Sequence, residues 1–275
     1  METAMRLELH HPLDGYYAGT RFDRSGVFKS LVFKDVELCD QWFDPYYPTR
    51  HDAVRGPVDE FSVLPCGPYW LKPGVGLLVP DSEPYDRFKL YEMADPGRWT
   101  MEQQGSTTRF RHVLDGYYDY SKDIRIVAED TFEIGHELRP QIPWDGTVYN
   151  HNFFTLGKME IGPSRRLDFP FRPEGSWRTV YDSVGFTEDG IRFYRALREG
   201  ESVYSGDIHQ AGEVGMPYEM TLREGPLSVH IRGDVPVTHT VFWANHRIAC
   251  LEPYNRLRIA PGETARWTIR YRINL

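Results

Sequence analysis

The chain has 275 residues, a formal net charge of −8, 40% hydrophobic residues and 14% aromatic ones. That apolar and aromatic load excludes a disordered chain, and the acidic balance argues against nucleic acid, whose phosphates call for Lys and Arg, as a partner. Cys39, Cys66 and Cys250 show no CxxC spacing, so neither a zinc ribbon nor a disulfide framework is expected, only free thiols.

The opening METAMRLELHHPLDG has no basic segment leading into an apolar one, so no signal peptide is expected. No window reaches 18 apolar residues, so no membrane span is expected either. With free thiols, this reads as a soluble cytoplasmic protein. No linker or low-complexity segment interrupts the chain, which points to one domain over residues 1–275.

Taken in chain order, the elements are strands. "SLVFKDVELC" offers two short β-prone runs around Lys34-Asp35. Residues 40–100 are dense in proline and aromatics and read as long irregular loops, a kind of segment that is usually functional when ordered. "RFRHVLDGYYDYSKDIRIVAE" places Asp115-Gly116 in a turn and then alternates through Ile124, Ile126 and Ala128. "TFEIGHEL" alternates again, and "VYNHNFFTLG" follows as a further strand. Asp189-Gly190 is a turn signal between aromatic strands, and Glu224-Gly225-Pro226 marks a hairpin. "VTHTVFWANHRIACLEPY" and "ARWTIRYRINL" complete the series. "LDGYY" occurs at 13–17 and 114–118 and reads as a recurring turn-plus-strand rather than a repeat. Few or no helices are predicted; the fold class is an all-β sandwich or barrel.

Metal and nucleophile signatures are missing. His10-His11 would point to opposite faces of a strand, His51-Asp52 lies in the proline-rich stretch, and neither HExxH nor GxSxG occurs. "KPGVGLL" lacks the third glycine of a dinucleotide fingerprint. No cofactor or metal is expected.

Acid–base chemistry remains. In "VYNHNFFTLG" the strand period puts His151 on one face with Tyr149 and Phe153, and Asn150 and Asn152 on the other. A histidine framed by aromatics suits proton transfer near neutral pH; position alone rather favours a core histidine with both nitrogens satisfied. Glu252 in "CLEPY" sits before Pro253, which reads as a strand end at the sheet rim. Partial burial there would raise its pKa toward a useful base value. An ordinary exposed glutamate fits that position too.

The two segments together resemble the aldose 1-epimerase (galactose mutarotase) superfamily, in a divergent bacterial branch. Asn150-His151-Asn152-Phe153-Phe154-Thr155-Leu156 is similar to that family's Asn-His-x-Tyr-Phe-Asn-Leu strand. Leu251-Glu252-Pro253 and Pro261-Gly262-Glu263 resemble its C-terminal segment. The resemblance implies a β-supersandwich with its site on a concave sheet. It implies a small-molecule sugar substrate, Glu252 as the base that takes the anomeric proton, and His151 as the acid that serves the ring oxygen, without a cofactor. The family's His-Gly-Gly region has no counterpart. "GPVDEFSVLPCGPYWLKPGVGLL" stands in its place and offers Glu60 and Lys72, while Arg21 is a candidate clamp for sugar hydroxyls or the partner of Asp23 or Asp35.

Two other readings compete with an epimerase. A lyase or glycoside-cleaving enzyme would add a carboxylate or a tyrosine, for which Glu60 and Tyr85 are candidates. A non-catalytic sugar-binding protein would need only an aromatic wall such as Trp42, Trp70 and Trp243.

Overall fold

Turn chemistry sets the topology. The computed structural model describes residues 5–81, 84–158, 160–213 and 215–275. Leu114 pairs with Tyr118 across Asp115-Gly116-Tyr117, where Gly116 takes a left-handed φ of 80° that a side chain would resist. Glu224 pairs with Leu227 across Gly225-Pro226. Thr187 pairs with Gly190, so the third hairpin closes on Glu188-Asp189 and Gly190 already belongs to the strand; the turn lies one residue earlier than the Asp189-Gly190 signal suggested.

These hairpins build a ten-stranded antiparallel sheet. Its order is Val184–Thr187, Gly190–Phe193, Arg165–Asp168, Glu219–Glu224, Leu227–Gly233, Ala265–Asn274, Thr131–Pro140, Tyr118–Ala128, Thr107–Leu114, Arg98–Gln104. A six-stranded sheet runs Trp177–Thr179, Ser202–Ser205, His239–Asn245, Ala249–Ile259, Trp144–Phe153, Gly56–Phe61. Smaller sheets of two, three and four strands complete the molecule, and among the described residues there is no helix. The fold is all-β, as the strand patterns indicate.

Period-two patterning decides which side each residue takes. In Ala265–Asn274, Trp267, Ile269, Tyr271 and Ile273 are buried, while Arg266, Arg270 and Arg272 stand outside. From the six-stranded sheet, Val148, Val203, Phe242, Ala244 and Leu251 join Phe132, Ile134, Trp267 and Tyr271 in the same apolar core. A buried polar patch sits within it. Lys122 Nζ lies 2.6 Å from Asp23 and 2.7 Å from Asp59, and His136 Nε2 lies 2.9 Å from Asp59 Oδ2. Such buried charges are tolerable because they are paired with one another.

Three sequence expectations are corrected. Residues 40–100 hold the wholly buried strand Gly56–Phe61 and the four-stranded sheet as well as loops. The first LDGYY, at 13–17, forms a turn with Gly15 at φ 81° but no strand follows it. Pro253 does not end its strand: Ala249–Ile259 runs straight through it at the centre of the six-stranded sheet.

Candidate functional site

The face of the six-stranded sheet turned away from the core carries the alternate residues of each strand. Tyr149, His151 and Phe153 come from one strand, Glu252 and Tyr254 from the next, then His239, Val241 and Trp243, then Ser202 and Tyr204. His151, Phe153 and all those from the last three strands line a cleft of about 1080 Å³, roofed on one side by the Pro84–Lys89 loop.

His151 and Glu252 meet on its floor. Tyr149 pairs with Tyr254, and the same register carried two residues further sets His151 opposite Glu252. The main-chain pairing stops at Tyr149, because Pro253 has no N–H to continue it. Asn152 fills the break by donating from Nδ2 to Leu251 O at 3.0 Å and to Asn150 O at 3.2 Å. His151 Nε2 lies 3.2 Å from Glu252 Oε1, and both side chains are buried.

The polar triplet therefore divides as the strand period requires. His151 faces the cleft. Asn150 faces the core, donating to Asp59 Oδ1 at 3.2 Å and accepting from the Tyr271 hydroxyl at 2.7 Å.

Aromatic rings hold the imidazole. His151 stacks on Phe153 with centroids 3.8 Å apart, Phe153 stacks on Trp42 at 5.2 Å, and Phe22 stands edge-on to His151 at 5.7 Å. Burial in this apolar setting pushes the His151 pKa below its ordinary value, although the Glu252 carboxylate pulls the other way. Burial alone would raise Glu252, as its sequence position suggested. His151, Arg21 and Arg87 outweigh it and hold the carboxyl below its usual range.

A second ionic cluster backs the first. Arg21 donates from Nε to Glu60 Oε2 at 2.7 Å and from a terminal nitrogen to the Tyr149 hydroxyl at 2.9 Å, and Tyr149 donates to Glu60. Lys72 Nζ stands 3.5 Å from Glu60 and donates to the Tyr85 hydroxyl at 2.7 Å; Arg87 Nε stands 3.7 Å from Glu60. Burial opposes the charge on Glu60, but Lys72, Arg21 and Arg87 bring its pKa down to about 2. Lys72 is lowered to about 8 by its complete burial, against the pull of Glu60.

The residues singled out in the sequence thus fall into two groups. Arg21, Tyr85, Trp243, His151 and Glu252 line the cleft, with Trp42. Glu60 and Lys72 stand behind Arg21 and Tyr85 and do not line it. Trp70 packs in a separate cluster with Val75, Leu78 and Tyr91. Arg21 pairs with Glu60 rather than with Asp23 or Asp35.

Other lining residues went unnoticed in the sequence. Tyr254 and His239 could have been found by counting in twos from Glu252 and Trp243. Arg87, from an irregular loop, carries no periodic signal. Among the described residues no group of three or more His, Cys, Asp or Glu is placed to hold a metal ion. No helix among them is long and apolar enough to cross a membrane.

No family model matches the chain, and no curated protein matches it in sequence. Solved structures do match in fold. A candidate aldose 1-epimerase from Escherichia coli K12 superposes with a TM-score of 0.60 at 12% identity, covering 98% of this chain and 99% of that one. An aldose epimerase homologue from C. elegans gives 0.56 at 13% identity over 99% and 96%. A galactose mutarotase-like protein from Clostridium acetobutylicum gives 0.55 at 11% over 98% of each chain. At these identities the likeness is one of architecture, and the chain has the all-β fold of the aldose 1-epimerase and galactose mutarotase-like proteins.

Proposed function

We propose that the protein is a carbohydrate-active isomerase that interconverts the anomers of a sugar by acid–base catalysis in this cleft. The observation that carries the reading is the His151 Nε2 to Glu252 Oε1 approach of 3.2 Å on the floor of an aromatic-walled cleft. A base and an acid from adjacent strands, the imidazole stacked on Phe153 and the carboxylate kept ionised by His151 and by the charges of Arg21 and Arg87, form the pair that hemiacetal opening requires.

The steps balance without a further reactant. Glu252 takes the proton of the anomeric hydroxyl and a C1=O bond forms. The C1–ring oxygen bond breaks, its electron pair stays on the ring oxygen, and that oxygen takes a proton from the His151 imidazolium. Rotation about C1–C2 presents the other carbonyl face, and the reverse transfers close the ring as the opposite anomer. The imidazolium–carboxylate form of the pair is the reactive one, and Glu252 favours it by raising the proton affinity of His151. Trp243 and Tyr85 offer faces for the sugar's C–H surface, and Arg21 offers guanidinium donors to hydroxyls.

The test is anomer exchange of pure sugars, followed by polarimetry and by NMR, with His151→Ala and Glu252→Gln as controls. Acceleration that both variants abolish supports the reading. No acceleration of any sugar, with glycan binding intact in the variants, replaces it with a binding protein. Cleavage of disaccharides or unsaturated uronides in the same screen replaces it with a lyase or hydrolase.

A further inference from the structure

The cleft extends well beyond the pair on its floor. About 1080 Å³ exceeds the roughly 300–1,000 Å³ in which drug-sized ligands are held, and a free hexose is smaller than those. The strand carrying Tyr204 lies two places from the strand carrying Glu252 in the sheet order. At about 4.8 Å per strand spacing that is roughly 10 Å, farther than one pyranose ring reaches.

This outer wall is furnished rather than bare. The Arg178 guanidinium lies over the Tyr204 ring, 5.1 Å from its centroid, and so forms a flat platform. Asp207 Oδ1 stands 3.7 Å from Arg178 and 3.8 Å from His239 Nε2. Both gaps are too long for a hydrogen bond, so acceptor and donors converge without satisfying one another. Arg178 and Asp207 cancel in charge, and burial holds half-buried His239 below its ordinary pKa. The wall is therefore neutral, hydrogen-bonding and edged by an aromatic face, which is what a sugar ring needs and an anion does not.

Resting on the anomerisation reading above, we propose that Arg178, Tyr204, Asp207 and His239 form a second ring-binding subsite, so that the substrate is a reducing sugar bearing at least one further neutral pyranose. The reducing end sits between His151 and Glu252, and the attached ring bridges the gaps around Asp207.

Anomer exchange of glucose and galactose is compared by NMR with that of maltose, cellobiose and lactose, for the parent, Asp207→Asn, and Tyr204→Phe and Tyr204→Ala. The expected result is a higher kcat/KM for at least one disaccharide. Asp207→Asn and Tyr204→Ala should reduce it about tenfold more than they reduce the monosaccharide value, mainly through KM. Tyr204→Phe keeps the platform and should keep most of the preference, which separates loss of the subsite from loss of folding. Equal kcat/KM for mono- and disaccharides, or parallel losses in the variants, would overturn the subsite while leaving anomerisation standing. If no sugar is turned over, anomerisation falls. Equilibrium binding of the same panel then decides the subsite: tighter disaccharide binding lost in Asp207→Asn supports it, and no preference overturns it.

Discussion

Asp59 and Glu60 are neighbours in the chain and serve opposite sides of one sheet. Asp59 points into the core to Lys122, His136 and Asn150, while Glu60 points outward to Arg21, Lys72, Arg87 and Tyr149. One buried strand thus supports the His151 strand from behind and the cleft arginine from in front.

Glu60→Gln should leave three cations around a neutral amide. Breaking such a buried pair costs about 3–5 kcal/mol, to be read from denaturant unfolding. Removing a surplus cation as well should recover part of that loss, so Glu60→Gln with Lys72→Met should be more stable than Glu60→Gln alone. Asp59→Asn should destabilise by a similar amount through Lys122 and His136, and the Lys72→Met change should not rescue it.

Glu252→Gln and His151→Ala should each lower the anomerisation kcat by about 10²–10⁴-fold, the usual contribution of a positioned acid or base. The double variant should be little worse than either single one, because the two residues act as a unit. Polarimetry against the uncatalysed rate measures both.

The pH dependence follows from the directions of the shifts. Both His151 and Glu252 titrate below their ordinary values of 6.5 and 4.5. The imidazolium–carboxylate form prevails only between the two apparent values of the pair, so kcat/KM should peak on the acid side of neutrality and fall toward pH 8. Stability runs the other way. Below pH 6.5 the unfolded chain takes up a proton at His151 that the folded chain resists, so the unfolding free energy should fall as pH drops. Glu60 adds to this below pH 4.5, and its contribution is lost as pH falls through its folded value of about 2. Unfolding midpoints measured from pH 8 to pH 4 would test the slope, which His151→Phe should make shallower without removing it, because burial also lowers His112 to about 4 and His239 below its ordinary value.

Asn152→Ala should leave the Leu251 and Asn150 carbonyls without their amide donor. A cost of about 1–3 kcal/mol is expected for buried acceptors left unpaired. Because Asn152 touches no substrate, it should act by loosening the approach of His151 to Glu252. The expected signature is a lower kcat with little change in KM.

Much of this was legible in the sequence, for physical reasons that can be named. Alternation exposed the strands, and Asn150-His151-Asn152 announced a strand with different work on each face. Glu252 was found, but Pro253 misplaced it. Proline usually marks a strand end, whereas here the neighbouring side chain of Asn152 takes over the bonding that proline cannot supply. Glu60 and Lys72 are substrate-binding candidates only because their segment takes the place of the family's His-Gly-Gly region. Their burial behind Arg21 depends on pairings across the sheet that no local pattern contains. Arg87, Asp207 and Arg178 reach the cleft from irregular segments or a short edge strand, where no period indicates direction.

The gap opened by Pro253 also bears on when the site comes into being. His151 and Glu252 are about a hundred residues apart in the chain, and at their level side chains rather than main-chain hydrogen bonds join the two strands. No local hairpin can bring them together, and such long-range pairings form late and slowly. A chain stalled before its last two strands dock would be extensively β-structured yet chemically inert. Recovery of activity would therefore mark completion of the sheet more faithfully than recovery of secondary structure.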